Sequence, residues 1–408
     1  MKRLLLFLVL LLGISSAVSG QQNRTELIAI LKGGQSIDQV NQANKTTTLE
    51  HIYGTNIYLL QPEGDETQAL RRLRNDPSLE AVELNSAIQL ADSEETIFLL
   101  DDSEETIFLL DKKTIFNGVE VPEAYAQQPA LSIIEADQVR AISTGAATRI
   151  ATIDTGVDFN HPALRPWLAA GVDLVNGTSA SEYDGLITDT GASSKAMIPS
   201  AFGHGTLVAG LIHVVAPNAL IVPIKTFDPY GRTSLFKVVQ AVYQAIELKA
   251  DAVNMSFSSG EDSPALRAAV SAARAAGVAV VSSMGNGGMQ TDVIYPAAYN
   301  GAYGVSATDF QDRLAPFSNY GKSVSISAPG ANVISTAPGG RYASVSGTSF
   351  SAPLVSGTIA LLASLQNRGV AKGALVVATA EPIDQKNPGF EKMIGRGRVN
   401  ARLALENR

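Results

Sequence analysis

A mainly parallel α/β sheet covered by helices on both faces is the architecture this sequence predicts, and three observations lead there. Residues 149–153 and 278–281 are short, almost uninterrupted apolar runs, the pattern of strands buried on both faces. Helix-like stretches at 235–249 and 264–276 alternate with such runs, as they do where helices wrap a parallel sheet. The 35 glycines, set among many Ala, Ser and Val residues, suit tight turns and close helix-to-sheet packing. With 408 residues, 45% of them hydrophobic and 17% charged, the chain can bury a large core, and its length allows about two to three domains.

At the start, Lys2 and Arg3 precede the apolar run 4–14 and the small-residue stretch 15–20. This charged, apolar, small-residue order predicts a secretory signal peptide over residues 1–20. The run is shorter than the ~20 residues a spanning helix needs, which argues against an uncleaved anchor. The chain is therefore expected to be secreted or periplasmic, with no membrane attachment once the signal is removed. It has no cysteine, which excludes a disulfide framework, thiol catalysis and Cys-ligated zinc.

Residues 21–91 predict a small α+β unit: strands at Leu27–Leu31, 55–60 and 79–90, a short helix at 36–43 and a charged helix at Glu66–Arg74. Such a unit suits either a separate binding module or a folding and inhibitory pro-segment. Residues 92–101 and 102–111 are identical decapeptides, Asp-Ser-Glu-Glu-Thr-Ile-Phe-Leu-Leu-Asp. Two copies are too few for a repeat fold, so the stretch 92–127 reads as an acidic, duplicated linker and maturation region. Residues 21–125 hold 19 Asp+Glu against 8 Lys+Arg, whereas residues 126–408 hold 20 against 21. The net charge of −8 thus belongs to the front of the chain, and no clustered basic surface predicts a nucleic-acid partner.

Chemistry-bearing residues sit beside glycine turns in the rear part, 128–408. Asp154 closes the first apolar run in Ile153-Asp154-Thr155-Gly156-Val157-Asp158, where a strand's carboxyl end places a carboxylate to orient an imidazole. His204 lies in Gly203-His204-Gly205-Thr206, before an apolar helix-like run; His213 reads as packing at that helix's end and His161 as a loop residue. Asn286, in Gly285-Asn286-Gly287, carries an amide able to donate to an oxyanion. Ser349 lies in Gly347-Thr348-Ser349-Phe350-Ser351-Ala352-Pro353 at the start of a long apolar helix, where the first N–H groups have no intrahelical acceptor.

Taken together, these motifs resemble those of the subtilisin-like serine proteases, in that family's order Asp, His, Ser. Phe317-Ser318-Asn319-Tyr320-Gly321, Ala328-Pro329-Gly330 and Gly397-Arg398-Val399-Asn400-Ala401 match as well, so the likeness runs from about residue 128 to 405. The resemblance implies a three-layer subtilisin-like domain over 128–408 and a serine endopeptidase acting through an acyl-enzyme. In it Ser349 is nucleophile, His204 base and Asp154 orienting acid, with Asn286 and the Ser349 N–H binding the oxyanion. It implies that an extended peptide pairs with Gly231-Arg232-Thr233 and Ser256-Phe257-Ser258, with Phe257, Met284 and residues 287–295 shaping the first specificity pocket. Partners implied are protein or peptide substrates and the front unit as intramolecular inhibitor, removed by a self-cut between about residues 101 and 128; the enzyme is expected to be a monomer. No cofactor is needed. The run from Gly210 to Pro217 leads straight into the next strand, leaving no room for the strong calcium loop of many relatives; weak calcium sites stay open.

Two other readings compete. A catalytically silent secreted protein of the same fold would be free to lose any of Asp154, His204, Asn286 and Ser349, and all four are present. An aspartic-type site pairing Asp154-Thr155-Gly156 with Asp189-Thr190-Gly191 has too little chain between the triplets for two lobes. Ser234-Leu235-Phe236-Lys237 reads as an ordinary helix start, since no Lys-Thr-Gly follows it.

Overall fold

The computed structural model describes residues 25–90, 96–100, 110, 112–177, 201–365 and 371–408. The expected signal peptide, Asp189 and most of the second decapeptide lie outside these residues. The front unit has strands β1 (Leu27–Leu31), β2 (Thr46–His51), β3 (Ile57–Pro62) and β4 (Leu79–Leu84), with helices α1 (Ile37–Asn44) and α2 (Glu66–Arg74) between them. They form an antiparallel sheet in the order β2-β3-β1-β4, a split βαβ arrangement. The polar strand β2 escapes the sequence reading because it is an edge strand with most side chains partly or fully exposed. Asp65 caps α2 by accepting from the Gln68 N–H at 2.8 Å.

Period-two alternation decides where this sheet docks. Leu27, Ala29 and Leu31 of β1 pack with Val40 and Leu73 of the two front helices, while Ile28 and Ile30 join a core shared with the rear part of the chain. The stretch expected as one strand over 79–90 breaks into β4 and β5 (Ala87–Gln89), because Asn85 and Ser86 bond elsewhere. Beyond it, β6 (Thr96–Leu100) is a strand where a linker was expected, and β7 (Lys113–Phe116) and β8 (Val119–Pro122) form a hairpin.

In the rear part, strands β9 (Arg149–Asp154), β10 (Val172–Asp173), β11 (Leu220–Lys225), β13 (Ala252–Met255), β14 (Ala279–Ser283), β15 (Ala302–Thr308) and β16 (Val324–Pro329) form a parallel sheet. Its order is β10-β11-β9-β13-β14-β15-β16, with the short β12 (Arg232–Ser234) outside it. Helices α3 (His204–Val215), α4 (Leu235–Glu247), α5 (Pro264–Ala275) and α6 (Thr348–Ala363) cover it. Ile150, Ala252, Ala279 and Val281 face one core with α3 and α6; Ala151, Ile153, Val253 and Val280 face the other with α4 and α5. The three-layer α/β fold is therefore present as the apolar runs predict. A hairpin of β17 (Val333–Ala337) and β18 (Arg341–Ser346) leads into α6, and α7 (Ala371–Ala378) and α8 (Ala401–Glu406) close the chain.

Strand order positions the site. After β9 the chain lays β10 and β11 on one side, then crosses to build β13 and its successors on the other, so the crevice where the winding reverses opens at the carboxyl end of β9. That end is Asp154. Gly357 of α6 lets the two central helices approach: a Cβ there would lie 2.7 Å from Val215 Cβ of α3.

Two buried histidines hold α3 and the hairpin. His161 Nδ1 accepts from the Ala163 N–H at 3.2 Å, so its other nitrogen donates to the Arg341 carbonyl at 3.0 Å and the ring is neutral. His213 packs between Trp167 and Phe116. Burial, with nearby His161 and Arg140, pushes its pKa down to about 3. The unfolded chain thus binds the His213 proton near pH 6.5 and the folded chain only near pH 3. The stability is complete above 6.5 and is lost as pH falls below it, at roughly 1.4 kcal/mol per pH unit. Urea unfolding of Ser349→Ala at pH 7 and pH 4 is expected to show this loss, and His213→Leu to flatten it; an unchanged slope would contradict the assignment.

Candidate active site

Glycine geometry brings Asp154 and His204 together. Gly203 takes a left-handed φ of 76° to start α3, and a side chain on Gly205 would run into the Gly156 carbonyl and come 3.1 Å from Asp154 Oδ1. The helix start therefore sits directly on the loop after β9. His204 Nδ1 and Asp154 Oδ1 are 2.8 Å apart, both residues about 1% exposed. The same carboxylate oxygen accepts from the Thr155 N–H at 2.8 Å, and Thr155 Oγ1 accepts from the Gly205 N–H at 3.1 Å, tying the two loops. A carboxylate acceptor at Nδ1 keeps the proton there and leaves Nε2 as the basic nitrogen.

At the other side of the crevice, α6 begins at Thr348, so the Ser349 N–H is among those with no partner within the helix. Pro353 lies four residues on and has no N–H to give the Ser349 carbonyl. Ser256 Oγ supplies that bond at 2.9 Å, and Ser349 Oγ donates in return to the Ser256 carbonyl at 3.2 Å. Ser256 Oγ accepts from Asn254 Nδ2 at 2.8 Å, and Asn254 Oδ1 from Ser356 Oγ at 2.9 Å, a closed network beneath the serine. The Phe350 ring lies 5.6 Å from the His204 ring, so α6 and α3 meet at these two residues.

Asn286 is fixed by a residue the sequence reading did not single out. Its Oδ1 accepts from the Thr348 N–H at 2.8 Å and Thr348 Oγ1 at 2.9 Å, so the oxygen end is committed to α6 and the donor end is the other one. The only sequence signal for Thr348 is its place just before Ser349.

The six expected peptide-contacting residues separate into two groups. Arg232 and Thr233 lie on β12, which pairs antiparallel with β5 of the front unit; the Leu90 N–H donates to the Gly231 carbonyl at 2.8 Å. Ser256, Phe257 and Ser258 follow β13, but the Phe257 side chain is fully buried against Phe227, 5.3 Å between ring centroids. Met284 likewise packs with Ile294, Ala297 and Val324. The Phe257 and Met284 side chains, expected to shape a specificity pocket, thus lie in core layers.

The front unit meets the rear part at two helix N-termini. Glu83 Oε1 accepts from the Ala265 N–H at 2.8 Å and Ser263 Oγ at 3.0 Å at the start of α5. The Ser86 carbonyl and Asn85 Oδ1 accept from the Leu235 and Phe236 N–H groups of α4. These acceptors satisfy orphan helix donors. Burial pushes the Glu83 carboxyl up despite those bonds. Among the described residues no group of three or more His, Cys, Asp and Glu is placed to hold a metal ion, and no helix is long and apolar enough to cross a membrane.

A three-layer α/β sheet with an Asp–His pair at its switch point and a serine at a facing helix start defines a protein of the serine-hydrolase class. The family model described as "Subtilase family" matches residues 145–397. The chain therefore belongs to the subtilase family of serine-type endopeptidases. It is 35% identical over 257 residues to a thermophilic serine proteinase of Bacillus sp. (strain AK1), covering 63% of this chain and 61% of that protein. To the thermostable alkaline protease of Halalkalibacterium halodurans it is 30% identical over 379 residues, 89% of this chain and 88% of that protein. A crystal structure of a lanthipeptide protease shares the fold at a TM-score of 0.60 and 24% identity, covering 69% of this chain and 94% of that one.

Proposed function

We propose that this chain is an exported, self-processing endopeptidase that cuts protein or peptide substrates through Ser349, His204 and Asp154. The observation that carries the reading is the buried 2.8 Å Asp154–His204 contact at the switch point, facing the start of α6. His204 Nε2 takes the Ser349 hydroxyl proton as Oγ attacks the scissile carbonyl, and Asp154 stabilises the imidazolium that forms. The oxyanion is met by the Ser349 N–H and by the Asn286 amide, with the positive end of α6 beneath it. His204 returns the proton to the leaving amine, and water then hydrolyses the acyl-enzyme. Every step uses a side chain or backbone group of this chain, so the chemistry calls for no cofactor.

The β5–β12 pairing supports two parts of this reading. A substrate adds as an antiparallel strand to the edge around Gly231, Arg232 and Thr233, and the front unit inhibits by occupying that edge with residues 87–90. The seated segment ends at Leu90, so a first self-cut beside it falls upstream of the zone from 101 to 128 that linker composition suggests. Residues 216–219, which alone join α3 to β11, support the reading that the strong calcium loop of relatives is missing. Residues 1–20 provide the export signal, and the processed enzyme works as a monomer.

Expression of the wild type and Ser349→Ala in a protease-deficient host tests this, reading the mature N-terminus by mass spectrometry. The wild type is expected to start beyond residue 90, and Ser349→Ala to retain the front unit. The same mature N-terminus in both would defeat self-processing.

A further inference from the structure

Two short segments flank the start of α6, and the gap between them is narrow. Ser256-Phe257-Ser258 follows β13 and Met284-Gly285-Asn286 follows β14, adjacent parallel strands that pair Met255 with Ser282. Both are tied to the nucleophile's helix: the Ser256 carbonyl accepts from Ser349 Oγ, and Asn286 Oδ1 accepts from the Thr348 N–H. We propose that the gap between these walls receives the side chain on the acyl side of the scissile bond, and that Ser258 and Ile294 restrict that residue to Gly, Ala or Ser. The inference rests on Ser349 being the nucleophile, since a carbonyl held between Ser349 Oγ and the Asn286 amide puts the preceding Cα over the gap.

What fills the gap can be read at Gly285. A Cβ built there would lie 2.8 Å from Ser258 Oγ, 2.9 Å from Asn319 Nδ2 and 3.7 Å from Ile294 Cδ1. Carbon atoms in contact stand about 3.5–4.0 Å apart, so the hydroxyl of one wall and the methyl of Ile294 use up the space in front of the other wall. A methyl or hydroxymethyl group fits at the mouth. A Leu or Phe side chain runs into Ser258 and Ile294.

The walls are also braced against widening. The Ser259 N–H donates to the Tyr295 carbonyl at 2.7 Å and the Tyr295 N–H to the Ser259 carbonyl at 2.8 Å, which fixes Ser258 and Ile294, one residue before each, relative to one another. Asn319 holds the facing wall, its N–H donating to the Gly285 carbonyl at 3.0 Å and its Nδ2 to the Met284 carbonyl at 2.9 Å. Ile294 is 8% exposed and packs with Met284, Ala297 and Val324, so a large guest would have to displace a packed side chain.

The front unit carries a residue that such a gap takes. Leu90, whose N–H is seated on the Gly231 carbonyl, belongs to the core that contains Ile88 and Leu235, whereas Ile294 belongs to a separate cluster. Leu90 is therefore not the residue at the gap. Ala91 and Asp92 follow it in sequence, so the first self-cut falls between Ala91 and Asp92, one bond past the seated segment.

The test offers the processed enzyme peptides Ala-Ile-Gln-Leu-Xaa-Asp-Ser, which copy residues 87–93 with Xaa at the place of Ala91, and locates each cut by mass spectrometry. From Xaa = Ala to Leu, kcat/KM for cutting after Xaa is expected to fall at least about tenfold, and further for Phe. Ile294→Ala is expected to raise the Leu-to-Ala ratio about tenfold or more, and Ser258→Gly to raise it as well. A ratio taken within one variant does not depend on how much of it folds. Cutting after Phe as fast as after Ala, cutting after Leu90 in the Ala peptide, or ratios unchanged in both variants would overturn the restriction. So would an enzyme that a fluorophosphonate labels at Ser349 but that cuts none of the small-residue peptides. No cutting and no label on Ser349 would instead defeat the endopeptidase reading, and the restriction with it.

Discussion

Ser349→Ala is expected to lower kcat on a peptide substrate by roughly 10⁶-fold while leaving KM within a few-fold, the scale seen when a serine protease loses its nucleophile. The fold should hardly notice. Ser349 Oγ donates to the Ser256 carbonyl at 3.2 Å, and losing that bond costs about 1 kcal/mol or less. The reverse bond, Ser256 Oγ to the Ser349 carbonyl, is untouched, so α6 keeps its start. Residual turnover well above the uncatalysed rate should persist, since the proposed oxyanion donors, the backbone N–H at position 349 and the Asn286 amide, are retained. Parallel kinetics and thermal melts check both halves. A large fall in Tm together with kcat would instead assign Ser349 a structural role.

Asp154→Asn is the second large effect, expected at about 10⁴-fold in kcat near neutral pH. Asparagine fills the same volume at the end of β9, but Asp154 Oδ1 accepts from both the Thr155 N–H and His204 Nδ1, so an amide nitrogen in that place gives up the Thr155 bond as well. Toward His204, an amide nitrogen presents hydrogens to Nδ1, which moves the ring proton to Nε2 and removes the basic nitrogen from the side that serves Ser349. The loss in kcat therefore reflects chiefly a tautomer. Activity that survives this substitution would show that His204 needs no carboxylate partner.

The parts of the site that the sequence shows are those whose constraint is local. Asp154, His204 and Ser349 each stand beside a glycine that the backbone needs, as at Gly203 with its positive φ and Gly205 against the Gly156 carbonyl, so short motifs carry them. The parallel sheet is legible for a similar reason, because strands buried on both faces read as apolar runs. What depends on distant pairing does not show. The break between β4 and β5 arises because Asn85 and Ser86 satisfy donors of α4, about 150 residues away in sequence, a distance that no local pattern records. The first decapeptide reads as linker because its acidic flanks dominate the composition, although its apolar centre is strand-forming and finds an edge in β18. Phe257 and Met284 look like pocket residues from their neighbours in sequence, but strand alternation and turn geometry carry both into the core.

In the proposed mechanism Ser349 is a nucleophile activated by His204. Treating the processed protein with a fluorophosphonate probe and mapping the adduct by peptide mass spectrometry tests it most directly. One adduct on Ser349 is predicted, abolished in His204→Ala. A protein that hydrolyses casein yet carries no adduct on Ser349, or carries it equally without His204, would contradict the account.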